Sequence, residues 1–233
     1  MEGGKMKRVL TIRRIVISGV LAAIAILLGA TRLGFIPVPT PAGHATIMHI
    51  PAIVGGIIEG WVVGWVIGTI FGLFSFFYAT IPLFKDPLVA ILPRMFIGIT
   101  SYFSYRALRR AGVSWALIIA GFLLGLAAAF GYEVGKINVP ASLIVGGLSL
   151  GLIAAFINLA LRGEAEVIAL SVAAAVGTLT NTILVLGMGV IRGHLPISAA
   201  ILVGITHGIP EIIVAVIIVL AVVTTWRRIE KGS

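Results

Sequence analysis

The 233-residue chain contains no cysteine, which excludes a disulfide framework, a thiolate metal site and a cysteine nucleophile. Charge is nearly as scarce. Only 11% of residues are charged, and 8 acidic side chains stand against 17 lysines and arginines. With 60% apolar residues and a mean hydropathy of +1.18, there is too little polar surface to keep a compact chain of this length in water. No Gly-x-x-x-x-Gly-Lys-Ser/Thr loop is present, so any ATP-driven step falls to another polypeptide. No polar linker marks a second domain, and a single membrane domain over 1–233 is expected. The formal charge of +9 is assigned to anchoring at the cytoplasmic face of a bilayer rather than to nucleic acid.

What the chain does contain is long apolar runs with basic residues between them. The runs lie at 14–30, 47–63, 64–81, 89–108, 114–131, 140–161, 166–190 and 199–225. A helix needs about 20 residues to cross the hydrocarbon core, so eight membrane segments are expected in an all-α integral membrane fold. The first run lacks a cleavage site of the small-x-small type and is read as a retained helix. The second and third runs are nearly continuous and are divided at Glu59-Gly60, a turn at the membrane face. The runs at 114–131 and 140–161, rich in Gly and Ala, are either two spans or one re-entrant pair.

Charge orients this scheme. With the N-terminus inside, twelve basic residues fall in cytoplasmic gaps (at 5–14, 106–110, 162 and 227–231). Four fall outside: Arg32, Lys85, Lys136 and Arg192. The bias places both termini in the cytoplasm. Between the first two spans, Thr31 to Thr46 carries Pro37, Pro39 and Pro41, which forbid a helix and favour a stiff extended segment. It is either an ordinary surface loop or a lid, whose stiffness would lower the entropy lost on closing over a ligand.

Ionisable groups at membrane depth are costly unless paired or facing a cavity. Arg94 follows Pro93 a few residues into the fourth span. Glu211 lies in the last span, with His207 one turn earlier on the same face and Pro210 between them. Arg94 and Glu211 either pair to staple two helices or belong to a polar pocket in which Arg94 meets an anionic ligand. Asn181, within Gly177-Thr178-Leu179-Thr180-Asn181-Thr182, serves helix contacts or ligand contacts. His44, His49, His194 and His207 lie on separate segments without zinc-protease spacing, and no metal or other cofactor is expected. Glycines at 60, 64, 68 and 72 form a stripe suited to close helix packing. Ser18, Gly19, Ala22, Ala23 and Ala25 give the first span a similar character, facing inward or toward a partner.

Five stretches in order resemble the substrate-binding S-components of energy-coupling factor (ECF) transporters, the vitamin importers of prokaryotes. They are Met48-His49-Ile50-Pro51-Ala52-Ile53-Val54-Gly55-Gly56, the Glu59-Gly60 to Gly72-Leu73 glycine run, Leu92-Pro93-Arg94, the segment around Asn181, and His207-Gly208-Ile209-Pro210-Glu211. The resemblance implies a high-affinity membrane subunit for a small water-soluble vitamin, in a prokaryotic plasma membrane. It would work with a transmembrane coupling protein and two cytoplasmic ATPases. It implies that the loop after the first helix is a lid, with Thr40, His44 and Thr46 as its contacts. Arg94 would anchor an anion or polar group, and Asn181, His207 and Glu211 would line the pocket. Ser18, Gly19, Ala22, Ala23 and Ala25 would meet the coupling protein, although the Ala-x-x-x-Ala motif of the family is present only as small-x-x-x-small. Pantothenate is the expected ligand, with cobalamin, riboflavin, folate and queuosine precursors as alternatives. The family has six helices. Here a core at 14–110 and 166–228 is interrupted by an inserted helix pair at about 112–163. A proton-coupled secondary transporter would show matching halves with broken helices, and an intramembrane enzyme a nucleophile with its base. Neither pattern is evident. The start of Met48-His49 resembles metal-uptake subunits, but it lies 47 residues into the chain, without the free amine of such a site.

Overall fold

The structure, a computed structural model, describes residues 12–40, 43–110 and 164–232, with single positions at 151, 154, 158 and 162. Two compact units divide the chain, one formed by 1–103 with 171–233 and the other by 104–170. The inserted helix pair expected at about 112–163 lies outside the described residues.

The first unit begins with α1 (Ile12–Ala30), followed by strands β1 (Phe35–Thr40) and β2 (Gly43–Thr46). The strands pair antiparallel, Phe35 opposite Thr46 and Pro37 opposite His44, with an irregularity between Pro37 and Thr40. Prolines are tolerated because each strand of a two-stranded ribbon has a free edge, so a missing N–H breaks no central ladder. The fold is thus helical as expected, with one short β-hairpin among the described residues in the loop after α1.

α2 (Ile50–Glu59) and α3 (Trp61–Phe77) form a tight hairpin around Gly60, whose φ of 104° suits glycine. Glu59-Gly60 is therefore the turn the sequence indicates. The run 47–63, however, is not a crossing helix. α2 has 10 residues, a length of about 15 Å against a hydrocarbon core of about 30 Å. It is apolar all round because it is buried from Ile50 to Ile57. Pro51 falls in its first turn, where the missing N–H has no intrahelical partner to lose.

α4 (Pro87–Arg110) follows a 3₁₀ turn at Pro82–Lys85. Asp86 caps it by accepting a hydrogen bond from the Leu88 N–H at 3.0 Å. α5 (Ala165–Ile191) and α6 (Ile197–Gly232) complete the described helices, and α6 continues through Pro210. Four helices, α1, α4, α5 and α6, are long and apolar enough to cross a membrane. Of the eight expected segments, six fall within the described residues, where they are six helices, four of them of crossing length. In the second unit, the described elements are the end of α4 and the beginning of α5.

The glycine stripe sets the spacing of α3 and α4. A methyl group at Gly64 would lie 2.7 Å from the Cα of Gly98 and 2.8 Å from the Cα of Gly56. One at Gly68 would overlap the Arg94 carbonyl, and one at Gly72 would lie 2.9 Å from the Ile91 Cα. Such backbone proximity is the usual means by which apolar helices associate where lipid competes for ordinary side-chain contacts.

α1 has two small-residue faces. Ser18, Ala22 and Ala25 are buried within the chain's own packing, and α1 packs on α2 and α3. Gly19 and Ala23 are exposed, with no atom within 4 Å of a methyl placed at Gly19. Of the five residues expected to meet a partner, Ser18, Ala22 and Ala25 thus face inward, and Gly19 and Ala23 face outward. Residues 18, 22 and 25 are spaced by four and three residues, close to one turn each, so they share the inward face.

Charged groups secure the two ends. At one, Arg13 donates to Glu59 at 2.8 Å and pairs with Glu230, while Arg14 lies 3.7 Å from Glu59. These contacts join the start of α1 to the ends of α2 and α6. At the other, Arg192 Nε donates to Asp86 Oδ2 at 2.6 Å, with His194 Nε2 3.3 Å from the same oxygen.

Replacing Gly68 with valine is expected to prevent monodisperse purification in detergent or to lower the melting temperature by about 5 °C or more, because the Arg94 carbonyl is backbone and cannot move aside. Size-exclusion chromatography and a thermal melt check this; wild-type behaviour would contradict the packing. The hydrogen bond from Arg192 holds the Asp86 carboxyl at about 2, well below its ordinary 3.8. A depressed carboxylate contributes stability that is full above its unfolded value and is lost as pH falls through the folded one. Between pH of about 4 and 2, wild type should therefore lose more thermal stability than Asp86→Asn; parallel losses would contradict the role of the pair.

Candidate functional site

The first unit holds a half-open cavity of about 380 Å³. Its walls come from the hairpin (Phe35, Thr46), Met48, the end of α3 and the following loop (Phe71, Phe74, Tyr78, Phe84), α4 (Arg94), α5 (Asn181, Thr182) and α6 (His207, Glu211). The expected site residues Thr46, Arg94, Asn181, His207 and Glu211 thus meet at one place. Thr40 and His44 belong to the hairpin by backbone, and their side chains lie outside the described residues.

The polar groups are held in different ways. Glu211, 4% exposed, has both oxygens engaged. Oε1 accepts the Thr46 backbone N–H at 2.7 Å, and Oε2 accepts the Thr182 hydroxyl at 3.3 Å. One carboxylate thereby ties the base of the hairpin to α5 and α6. The base is closed further by Ile47 N–H to the Gly34 carbonyl at 2.9 Å and Met48 N–H to Thr46 Oγ1 at 3.2 Å.

Arg94, 3% exposed, lies about 10 Å along α4 from Pro87. Its Nη1 donates to the carbonyls of Ala90 at 2.7 Å and Val89 at 3.0 Å, and its Nε is buried without an acceptor. The rings of Phe84 and Phe71 lie 4.7 and 5.1 Å from the guanidinium carbon, where their faces favour a cation. Arg94 and Glu211 form no ion pair within 4.0 Å. Two helices stapled by this pair is not the arrangement seen. Asn181 is 5% exposed and its Oδ1 has no hydrogen-bond partner.

The apolar walls were not legible as site residues. Phe74 and Tyr78 stack with centroids 4.6 Å apart, and the signal for them was the aromatic density of Phe71 to Tyr78 in a chain with only 8% aromatics. Met48 belonged to a quoted motif without a role. His49 is buried outside the cavity lining, at the N-terminus of α2, with Nε2 3.0 Å from the Thr178 hydroxyl. It links α2 to α5. Among the described residues no cluster of three or more His, Cys, Asp or Glu is placed to hold a metal.

Four helices of crossing length, three of which (α4, α5 and α6) line a cavity with ionic groups in its walls, define a multi-pass membrane protein built to hold a small molecule. The chain matches the family model of the ECF transporter substrate-specific component over residues 13–142, more than half its length, and belongs to that family. No curated protein matches it. Members of the family are substrate-binding subunits of uptake systems rather than enzymes.

Glu211→Ala removes the acceptor of the Thr46 N–H, while the Thr182 hydroxyl keeps the Thr178 carbonyl at 3.2 Å. Hydrogen–deuterium exchange of peptides covering 33–48 is expected to accelerate about tenfold, with a smaller change for Glu211→Gln, which keeps an acceptor. Unchanged exchange in the alanine variant would show that the carboxylate does not hold the hairpin.

Proposed function

We propose that this chain binds a small water-soluble vitamin on the hairpin side and carries it into a prokaryotic cell, with pantothenate as the ligand. The hairpin is the lid, and Thr40, His44 and Thr46 are its contact residues. Arg94 anchors the ligand, and Asn181, His207 and Glu211 complete the pocket wall. Binding precedes an ATP-driven step performed by two cytoplasmic ATPases through a transmembrane coupling protein. Both termini lie in the cytoplasm of the plasma-membrane orientation, as the distribution of basic residues favours.

The observation that carries this function is the cavity itself. A volume of about 380 Å³ suits a compact ligand, toward the lower end of the usual range for small-molecule sites, about 300–1,000 Å³. An arginine with an unused buried Nε sits in its wall. A purely structural arginine at membrane depth is expensive, and an anionic or carbonyl-bearing ligand supplies the missing acceptor.

Arg94→Ala is expected to weaken the binding of radiolabelled pantothenate to the detergent-purified protein by about 10- to 100-fold, as loss of a charged hydrogen bond implies, while the variant stays folded by size-exclusion chromatography. Equal affinity in wild type and variant would reduce Arg94 to a structural role. Absence of binding to wild type would remove pantothenate as the ligand.

A further inference from the structure

The polar groups around the cavity divide into those already engaged and those left open. Glu211 belongs to the first kind, since each oxygen accepts a protein donor. Arg94 is partly open. Nη1 is engaged with two carbonyls, and Nε has no acceptor among the described residues. The Asn181 side chain is open altogether, with a buried, unpartnered Oδ1 and no hydrogen bond to a described residue. A carboxamide is both donor and acceptor. Leaving one dry and unmatched in an apolar protein opposes folding, and so does leaving the inner edge of a guanidinium without an acceptor.

Both open groups line the same cavity, on different helices. Arg94 is additionally held in place by the rings of Phe71 and Phe84 and by its two carbonyl bonds, so its remaining N–H donors, on Nε and Nη2, are fixed in direction. Glu211 differs in that its oxygens already accept donors from the hairpin and from α5. We infer that the cavity reads a compact organic anion at two points: its oxyanion at Arg94 and a neighbouring amide or hydroxyl group at Asn181. The apolar remainder of the ligand lies against Phe74, Tyr78 and Met48. This specificity rests on the uptake function proposed above.

The test does not require the ligand to be known beforehand. The small-molecule fraction of yeast extract is passed over a strong anion exchanger at mildly alkaline pH. The whole fraction, the flow-through and the salt eluate, desalted, are then each added to the detergent-purified protein, and its melting temperature is measured. Stabilisation is expected from the whole fraction and the eluate and not from the flow-through. Asn181→Asp is expected to require at least about tenfold more eluate for half-maximal stabilisation, and Asn181→Leu to lose response by a smaller factor, because only the aspartate adds repulsion to a lost donor. Stabilisation by the flow-through alone would overturn the anionic class while leaving vitamin uptake standing. No stabilisation by the unfractionated extract would count against uptake itself, and the anionic class with it. An eluate response equal in wild type and both Asn181 variants would overturn the second recognition point, and the melting temperature of each unliganded variant shows that it is folded.

Discussion

A carboxylate buried in an apolar helix must have its lone pairs filled, because no water is at hand to fill them. In this protein that requirement joins three separate parts of the chain. Glu211 on α6 receives the backbone N–H of Thr46 and the hydroxyl of Thr182. The hairpin is therefore attached to the helical body by the very group that would be most costly to leave alone. The cavity has a wall at this place because the attachment brings Phe35, Thr46 and Met48 beside α5 and α6.

The opposite wall depends on backbone proximity. Gly64, Gly68 and Gly72 let α3 approach α4 so closely that a single methyl would collide with main-chain atoms at each position. That approach sets Phe71, on α3, against the guanidinium of Arg94, on α4, while Phe84 covers it from the preceding loop. Arg94 is thus immobilised by contacts that leave a donor free. Rigid presentation of a few polar groups within an aromatic enclosure lowers the ordering cost of binding, which suits a substrate-binding subunit of an uptake system.

The sequence made the polar core of the site legible for a physical reason. Charged and amide groups within apolar runs are rare enough that Arg94, Asn181, His207 and Glu211 could be singled out one by one, and all line the cavity. The turn at Glu59-Gly60 was equally readable from a glutamate and a glycine in an otherwise continuous run. Apolar features were harder. Hydropathy does not distinguish a crossing helix from a buried one, so the 10-residue α2 resembled a span. Prolines at alternate positions excluded a helix between 31 and 46, but pairing of the two strands depends on non-local register that no local pattern encodes. The small residues of α1 were legible as a set, yet their division into a buried face at 18, 22 and 25 and an open one at 19 and 23 follows from where α2 and α3 lie.

Membership of the ECF substrate-specific component family accounts for the combination of lipid-exposed apolar helices and an ionic interior. Within the site Glu211 accepts donors from the hairpin and from α5, whereas Arg94 Nε and Asn181 Oδ1 are buried without a hydrogen-bond partner. The decisive measurement is a density map of the protein purified with its co-purifying small molecule still bound. Ligand density within hydrogen-bonding distance of both Arg94 and Asn181, with Thr46 still on Glu211, is the expected result. A bound molecule outside the cavity, or one whose polar contacts are made to Glu211 with the hairpin detached, would contradict it.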